Sequence, residues 1–292
     1  AQGRRIIDAA IDRGVTFIDC ADMYVNGETE RILGRALKGR RDSVVVTSKV
    51  GHILKLGSRY GEQKFSGPWD LARPKPFFPW AWGDETPPHD IGLNRKHIMA
   101  ACDNSLRRLG MDYIDLYQIH RFDKATPVEE TMDALDSLVR AGKVRYLGAS
   151  SMWAWQFAKM QRAAEVAGGA RFVSMQNHYN LAYREEEREM IPYCRDTNVG
   201  LMPWSPLARG FLAGNRRPGE GGSADKSGGA TARAATDEIA QKFYYRDSDF
   251  QVVDALSQLA REKPPARLPG VPAVPDAGQL VQRVRQQAQR GK

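Results

Sequence analysis

Short apolar runs alternate with amphipathic segments along most of the chain. Residues 4–13 (RRIIDAAIDR) repeat apolar positions at helical spacing, Gly14 ends that run, and VTFIDC over 15–20 reads as a strand. The couplet then recurs. ETERILGRALKG, closed by Gly39, precedes SVVVTSKV; RKHIMAACDNSLRRLG precedes DYIDLYQIH; PVEETMDALDSLVRAG precedes KVRYLGAS. AWQFAKMQRAAEVAGG precedes RFVSMQNHY, and REEEREMIPYCRDT precedes VGLMPWS. Continuous apolar strands separated by helices of about 10–15 residues predict a parallel sheet covered on its faces. Six such units in a row favour a closed barrel over a doubly wound sheet, so the predicted fold class is α/β, of the (β/α)8 TIM-barrel type.

Two stretches interrupt the rhythm. Residues 51–94 separate a strand from its helix and carry Tyr60, Phe65, Trp69, Phe77, Phe78, Trp80 and Trp82 among several prolines. Residues 213–236 (AGNRRPGEGGSADKSGGATARAAT) are rich in Gly and Ser. Long loops on a barrel carry function or lack order, and both stretches are candidate lids. The aromatic stretch hints at a bulky or aromatic ligand, although framework packing accounts for it equally well.

Composition narrows the function classes. At 292 residues, with 42% hydrophobic and 27% charged positions, the chain suits one folded domain with a full core. No apolar run approaches the roughly 18 residues of a membrane span, and the opening AQGRRIIDAAIDRG lacks a signal-peptide core, so a cytoplasmic protein is expected. Cys20, Cys102 and Cys194 lie far apart without CxxC spacing, which fits reduced thiols. No His/Asp/Glu cluster has metal-ligand spacing, and His52 and His178 are assigned ordinary packing or exposure. The net charge of +8 is concentrated in a tail, with seven basic and two acidic residues from Arg261 onward. The rest is spread over mixed-sign helices without the basic stripe that nucleic acid requires. Partners are therefore expected to be small molecules, with oligomeric state open.

In a barrel of this kind the chemistry sits at the C-terminal ends of the strands. Those ends carry Asp19, Lys49 and His120, with Tyr24 five residues beyond Asp19. Each has a plain reading in isolation: Asp19 as a helix cap, Lys49 as a surface charge, His120 as a satisfied core histidine. Their joint appearance at successive strand ends is harder to dismiss. No GxGxxG follows any strand, so a Rossmann crevice has no support.

FIDCADMY resembles the FDTAxxY signature of aldo-keto reductases, VVTSK carries a lysine like that family's at Lys49, and SLRRLGMDYIDLYQIH ends in a matching histidine at His120. The resemblance runs from about Gly3 to Glu262, which sets a barrel domain over 1–262 and a separate tail over 263–292. It implies an oxidoreductase that reduces an aldehyde or ketone to an alcohol with NADPH. A free tyrosine, with a pKa near 10, is a poor acid at neutral pH until a neighbour lowers that value. The family pattern thus implies Tyr24 as general acid, Lys49 as the cation beside its phenol, Asp19 as the anchor of Lys49, and His120 as the group orienting the carbonyl. YLGASSMW resembles the family's GxSN segment and implies that Ser150 and Ser151 contact the nicotinamide carboxamide together with Gln176; Ser151 stands where Asn is common. LMPWSPLARGFLAG resembles YSPLxxGxL, which implies ring stacking by Trp204 and pyrophosphate contacts near Ser205, Leu207 and Gly210. An aromatic strand end packed in the core would account for Trp204 as well. The same resemblance admits a non-catalytic cofactor-binding regulator, like the family's potassium-channel β-subunits, or an inactive product.

Two departures from the family pattern matter. The chain opens within the first barrel helix, so the first barrel strand is expected to be missing. After LSQLARE the sequence reads KPPARLPGVPAVPDAGQLVQRVRQQAQRGK, with five prolines between Pro264 and Pro275, where the family has a helix and a last strand. Such a stretch builds neither a helix nor a central strand, and reads as a replaced terminus or a shifted frame. An eight-stranded barrel with its first and last strands missing predicts open edges, association through them, and weak or absent activity.

Overall fold

The structure, a computed structural model, describes residues 2–51, 92–214, 240 and 243–262. The aromatic stretch, His52, most of the Gly/Ser-rich segment and the tail from 263 lie outside the described residues. Two compact units make up the chain: Ala1–Gln176 with Tyr193–Leu201, and Asn177–Pro192 with Met202–Lys292.

The first unit is the predicted alternation. Helix α1 (Gln2–Asp12) leads to β1 (Phe17–Asp19), α2 (Glu28–Ala36) to β2 (Val45–Val50), and α3 (Arg95–Leu109) to β3 (Ile114–Ile119). Then come α4 (Val128–Arg140), β4 (Val144–Ser150), α5 (Ala154–Val166), β5 (Phe172–Gln176), α6 (Met190–Asp196) and β6 (Gly200–Leu201). All five strand pairings are parallel and follow chain order, giving a six-stranded sheet β1-β2-β3-β4-β5-β6. Sequential parallel pairing through helical crossovers is the pattern of a (β/α)-barrel wall rather than of a doubly wound sheet, in which the order reverses.

Burial follows the sheet position. Central β3 buries Ile114, Leu116, Tyr117, Gln118 and Ile119, whereas Phe17 of β1 remains 42% exposed. Among the described residues β1 and β6 each have one strand neighbour, as expected for the first and last strands seen in the sequence. Helix α3 begins where the sequence supplies a cap: Asn94 accepts a hydrogen bond from the His97 N–H at 2.9 Å. Helices α2 and α3 approach closely at Gly34, where an added Cβ would stand 2.2 Å from the Leu109 carbonyl oxygen, so no larger residue fits.

Two segments are shorter than the sequence pattern predicts, and proline accounts for both. The run 184–197 forms a 3-10 turn at Glu185–Glu187 and then α6, which places Pro192 in the first turn of the helix. A proline ring is tolerated there and would clash with a carbonyl one turn earlier in a longer helix. Strand β6 stops at Leu201, before Pro203, and resumes only as a bridge between Trp204 and His178.

The second unit gathers around an apolar cluster of Ala208, Phe211, Leu212, Ala240, Tyr244, Phe250, Val253 and Leu256. Helix α7 (Asp247–Glu262) contributes Phe250, Val253 and Leu256, at successive intervals of three, to that cluster.

Candidate active site

Period-two alternation along β2 directs Thr47 and Lys49 to one face, and along β3 it does the same for Gln118 and His120. The pairing register then aligns Asp19 with Thr47 and Lys49 with Gln118. Five polar side chains thus meet where their strands end.

Lys49 is fully buried, so its ammonium must be neutralised and hydrogen-bonded to be tolerated. It has three N–H bonds and three acceptors: Asp19 Oδ2 at 2.7 Å, the Cys20 carbonyl at 2.9 Å and the Tyr24 hydroxyl at 3.4 Å. Asp19 is held in turn through its other oxygen, which accepts from Thr47 Oγ1 at 2.6 Å and from Gln118 Nε2 at 3.2 Å. The His120 ring stands edge-on to Tyr24, with centroids 5.9 Å apart at 79°. Asp19, Tyr24, Lys49 and His120 therefore gather at one place.

Tyr24 sits on a short turn between β1 and α2. The three residues after it, Val25, Asn26 and Gly27, all have positive φ. Left-handed backbone at two non-glycine residues in succession costs free energy and persists only when the surroundings enforce it. The Thr29 N–H donates to the Tyr24 carbonyl at 3.4 Å, joining the turn to the first turn of α2.

Three neighbours went unnoticed in the sequence. Thr47 and Gln118 could have been found by applying strand alternation backwards from Lys49 and His120. Arg121, next in the chain after His120, donates through Nη1 to the His120 carbonyl at 2.7 Å and to Ser150 Oγ at 3.4 Å. Burial lowers its pKa to about 10, with the nearby Tyr24 opposing that shift, so it stays a cation at neutral pH.

The residues with an implied cofactor role divide between the two units. In the first, Ser150 Oγ donates to the Gln176 carbonyl at 2.7 Å and the Ser151 N–H donates to the same oxygen at 3.0 Å. Ser150 and Gln176 are buried, and Ser151 turns the chain out of β4 with φ 41°. In the second unit, Trp204 donates its N–H to the Asn177 carbonyl at 2.9 Å, and Ser205 follows with φ 52°. Leu207 opens a 3-10 turn over Ala208–Ala213, in which Ala208, Arg209 and Gly210 all have positive φ.

His178 has a larger part than its sequence context suggested. Its ring lies between Tyr183 and Trp204, 4.1 Å from each and nearly parallel to both. Its Nε2 is 2.6 Å from the Tyr244 hydroxyl, and Asn180 Nδ2 donates to that hydroxyl at 2.9 Å and to the Ser205 carbonyl at 3.0 Å. Burial raises the Tyr244 pKa to about 12, which keeps the phenol protonated. Among the described residues no group of three His, Cys, Asp or Glu side chains is arranged to hold a metal ion, and no helix is long and apolar enough to cross a membrane.

The fold is a parallel β/α wall that carries a buried lysine between an aspartate and a tyrosine at its strand ends. The chain belongs to the aldo/keto reductase family, whose pattern it matches over residues 1–264. It is 48% identical over 219 residues to an aldo-keto reductase of Fusarium vanettenii, covering 74% of this chain and 56% of that protein. It is 42% identical over 262 residues to versiconal hemiacetal acetate reductase of Aspergillus parasiticus, covering 88% and 70%. A putative aryl-alcohol dehydrogenase of Schizosaccharomyces pombe is 44% identical over 213 residues, covering 71% and 57%. The aligned part spans little more than half the length of two of these relatives.

Proposed function

We propose that the chain reduces a small-molecule aldehyde or ketone to the alcohol, with NADPH as reductant and Tyr24 as general acid. One observation carries this reading: a fully buried ammonium, Lys49, is shared between Asp19 and the phenol of Tyr24. A cation held at that place offsets the negative charge that grows on the phenolic oxygen as its proton passes to a carbonyl oxygen. Asp19, fixed by Thr47 and Gln118, keeps the ammonium at the phenol. His120, edge-on to Tyr24, is assigned to orient the carbonyl oxygen.

A nicotinamide carboxamide calls for neutral donors and acceptors, and Ser150, Ser151 and Gln176 form such a set in the first unit. In the second, the Trp204 ring stacked on His178 offers a rigid aromatic surface, and the left-handed backbone at Ser205 and Ala208–Gly210 is of a kind that recurs where chains close on ligands. NADPH, when bound, supplies the hydride for the carbonyl carbon. Ser205, Leu207 and Gly210 are assigned to its pyrophosphate side.

The test has two arms. Titration with NADPH should quench tryptophan fluorescence saturably, and Trp204→Ala should weaken that binding. With an aldehyde panel, Tyr24→Phe should lower turnover by about 100-fold or more while cofactor binding survives. A Tyr24→Phe protein with full activity overturns the assignment.

A further inference from the structure

A second buried charge cluster lies beside the first, and the reaction as described makes no use of it. Glu30, in the first turn of α2, is fully buried. Its Oε2 accepts from Arg108 Nε of α3 at 2.5 Å, and its Oε1 accepts from Ser48 Oγ of β2 at 2.6 Å. Arg108 also donates through Nη2 to Ser105 Oγ at 3.2 Å, which fixes the guanidinium on its own helix. Its aliphatic stem occupies the space beside Gly27, where an added Cβ would stand 2.8 Å from Arg108 Cδ. Gly27 closes the left-handed turn that follows Tyr24.

Stability alone gives little reason for this arrangement. A buried ion pair recovers at best its own desolvation, and apolar residues of equal volume usually serve as well or better. What the pair offers is direction. Ser48 immediately precedes Lys49, and Glu30 lies three residues after the Gly27 end of the Tyr24 turn, so one carboxylate ties the lysine strand to the tyrosine turn. The contact it bears upon, Lys49 Nζ to Tyr24 OH, is at 3.4 Å already long for a hydrogen bond and would be lost with a small drift.

We propose that Glu30, gripped by Arg108, is a positioning residue that sets the distance between Lys49 and Tyr24 through Ser48. Arg108 and Ser48 are parts of the same device, and none of the three touches a reacting atom. The kinetic consequence rests on the reductase reading above; the geometric one does not.

Two variants of the full chain test this. Ser48→Ala removes only the hydroxyl tether and leaves the ion pair intact. Glu30→Met combined with Arg108→Met removes both charges together, so that neither is stranded. Both are expected to keep the NADPH dissociation constant and the carbonyl KM within about twofold, while kcat falls several-fold in the first and about tenfold in the second. Glu30→Gln with Arg108→Met, which restores an acceptor for Ser48, should recover most of that loss. A crystal structure of Ser48→Ala should show the Lys49–Tyr24 separation lengthened. Parent kcat in both variants, or a failure of the Gln variant to recover, would overturn the proposal. Should the parent chain lack turnover, the reductase reading fails and the crystal structure alone decides: an unchanged separation sinks the proposal and a lengthened one upholds it.

Discussion

Lys49, at the end of β2, and His178, just past β5, are both buried, and different forces hold them. Around Lys49 the ammonium is held by hydrogen bonds to Asp19, the Cys20 carbonyl and Tyr24, and its neighbours have partners of their own: Asp19 with Thr47 and Gln118, and nearby Glu30 with Arg108 and Ser48. Around His178 the contacts are mainly with rings, Tyr183 and Trp204 on its faces and Phe243 and Tyr244 edge-on, with a hydrogen bond to the Tyr244 hydroxyl. Charges in a low-dielectric interior fail abruptly, because a single lost partner strands another. Ring stacks fail by degrees, because each face contributes separately. The charged region is therefore suited to holding a reactive group at one distance, and the aromatic region to presenting a flat, rigid surface.

The largest expected effect comes from removing the shared charge. Lys49→Met should lower carbonyl turnover by about 10²–10⁴-fold, measured as NADPH consumption, while leaving Asp19 without its ion-pair partner. Next, Arg108→Met alone strands Glu30 as a buried carboxylate and should cost about 3–5 kcal/mol in denaturant unfolding. A cost below about 1 kcal/mol would erase the distinction between the two regions. In the aromatic region His178→Ala should cost about 2 kcal/mol, from the lost ring contacts and the hydrogen bond to Tyr244, and His178→Phe should recover about half of it. A loss for His178→Ala as large as that for Arg108→Met would show the ring stack to be as cooperative as the charges.

A smaller effect appears as pH dependence. Asp22, buried beside Glu30, has its pKa raised well above 3.8 by burial first and by the charge of Glu30 second, with Arg108 and Lys49 opposing. The folded state therefore binds this proton more tightly than the unfolded chain does. The stabilisation it provides is complete below about pH 3.8 and is lost as pH rises toward the folded value. Asp22→Asn should thus match the parent near pH 4 and exceed its stability at pH 7 by about 1 kcal/mol or more, read from urea unfolding at both pH values. The smallest effect belongs to an exposed pair: Glu165→Ala, which breaks the surface contact with Arg162, should change stability by less than about 0.5 kcal/mol.

Much of this was legible in the chain. The six strands, their order and the helices between them follow from apolar periodicity, since each element must bury one face whatever its neighbours are. Asp19, Lys49 and His120 were legible for a related reason, because the end of a strand can be read locally and a barrel concentrates chemistry there. Tyr24 came from the motif. Pro192 and Pro203 show where periodicity misleads: the apolar pattern extends beyond the element at each, while the ring of Pro192 delays the start of α6 and the missing N–H of Pro203 ends the ladder of β6.

What remained hidden was pairwise. Nothing local marks Glu30 as a partner of Arg108, 78 positions away, or His178 as a partner of Tyr244, 66 positions away. Glu30 lies in an ordinary acidic first turn, Arg108 in the basic last turn of α3, and each looks like a solvated charge that complements a helix end. The sequence by itself determined the elements, the parallel order of the sheet and the strand-end residues, because periodicity, backbone sterics and turn chemistry act over a few residues. Only the tertiary structure decided which of the remaining polar side chains are buried and whom they meet, because burial turns an unremarkable charge into one that must find a particular partner.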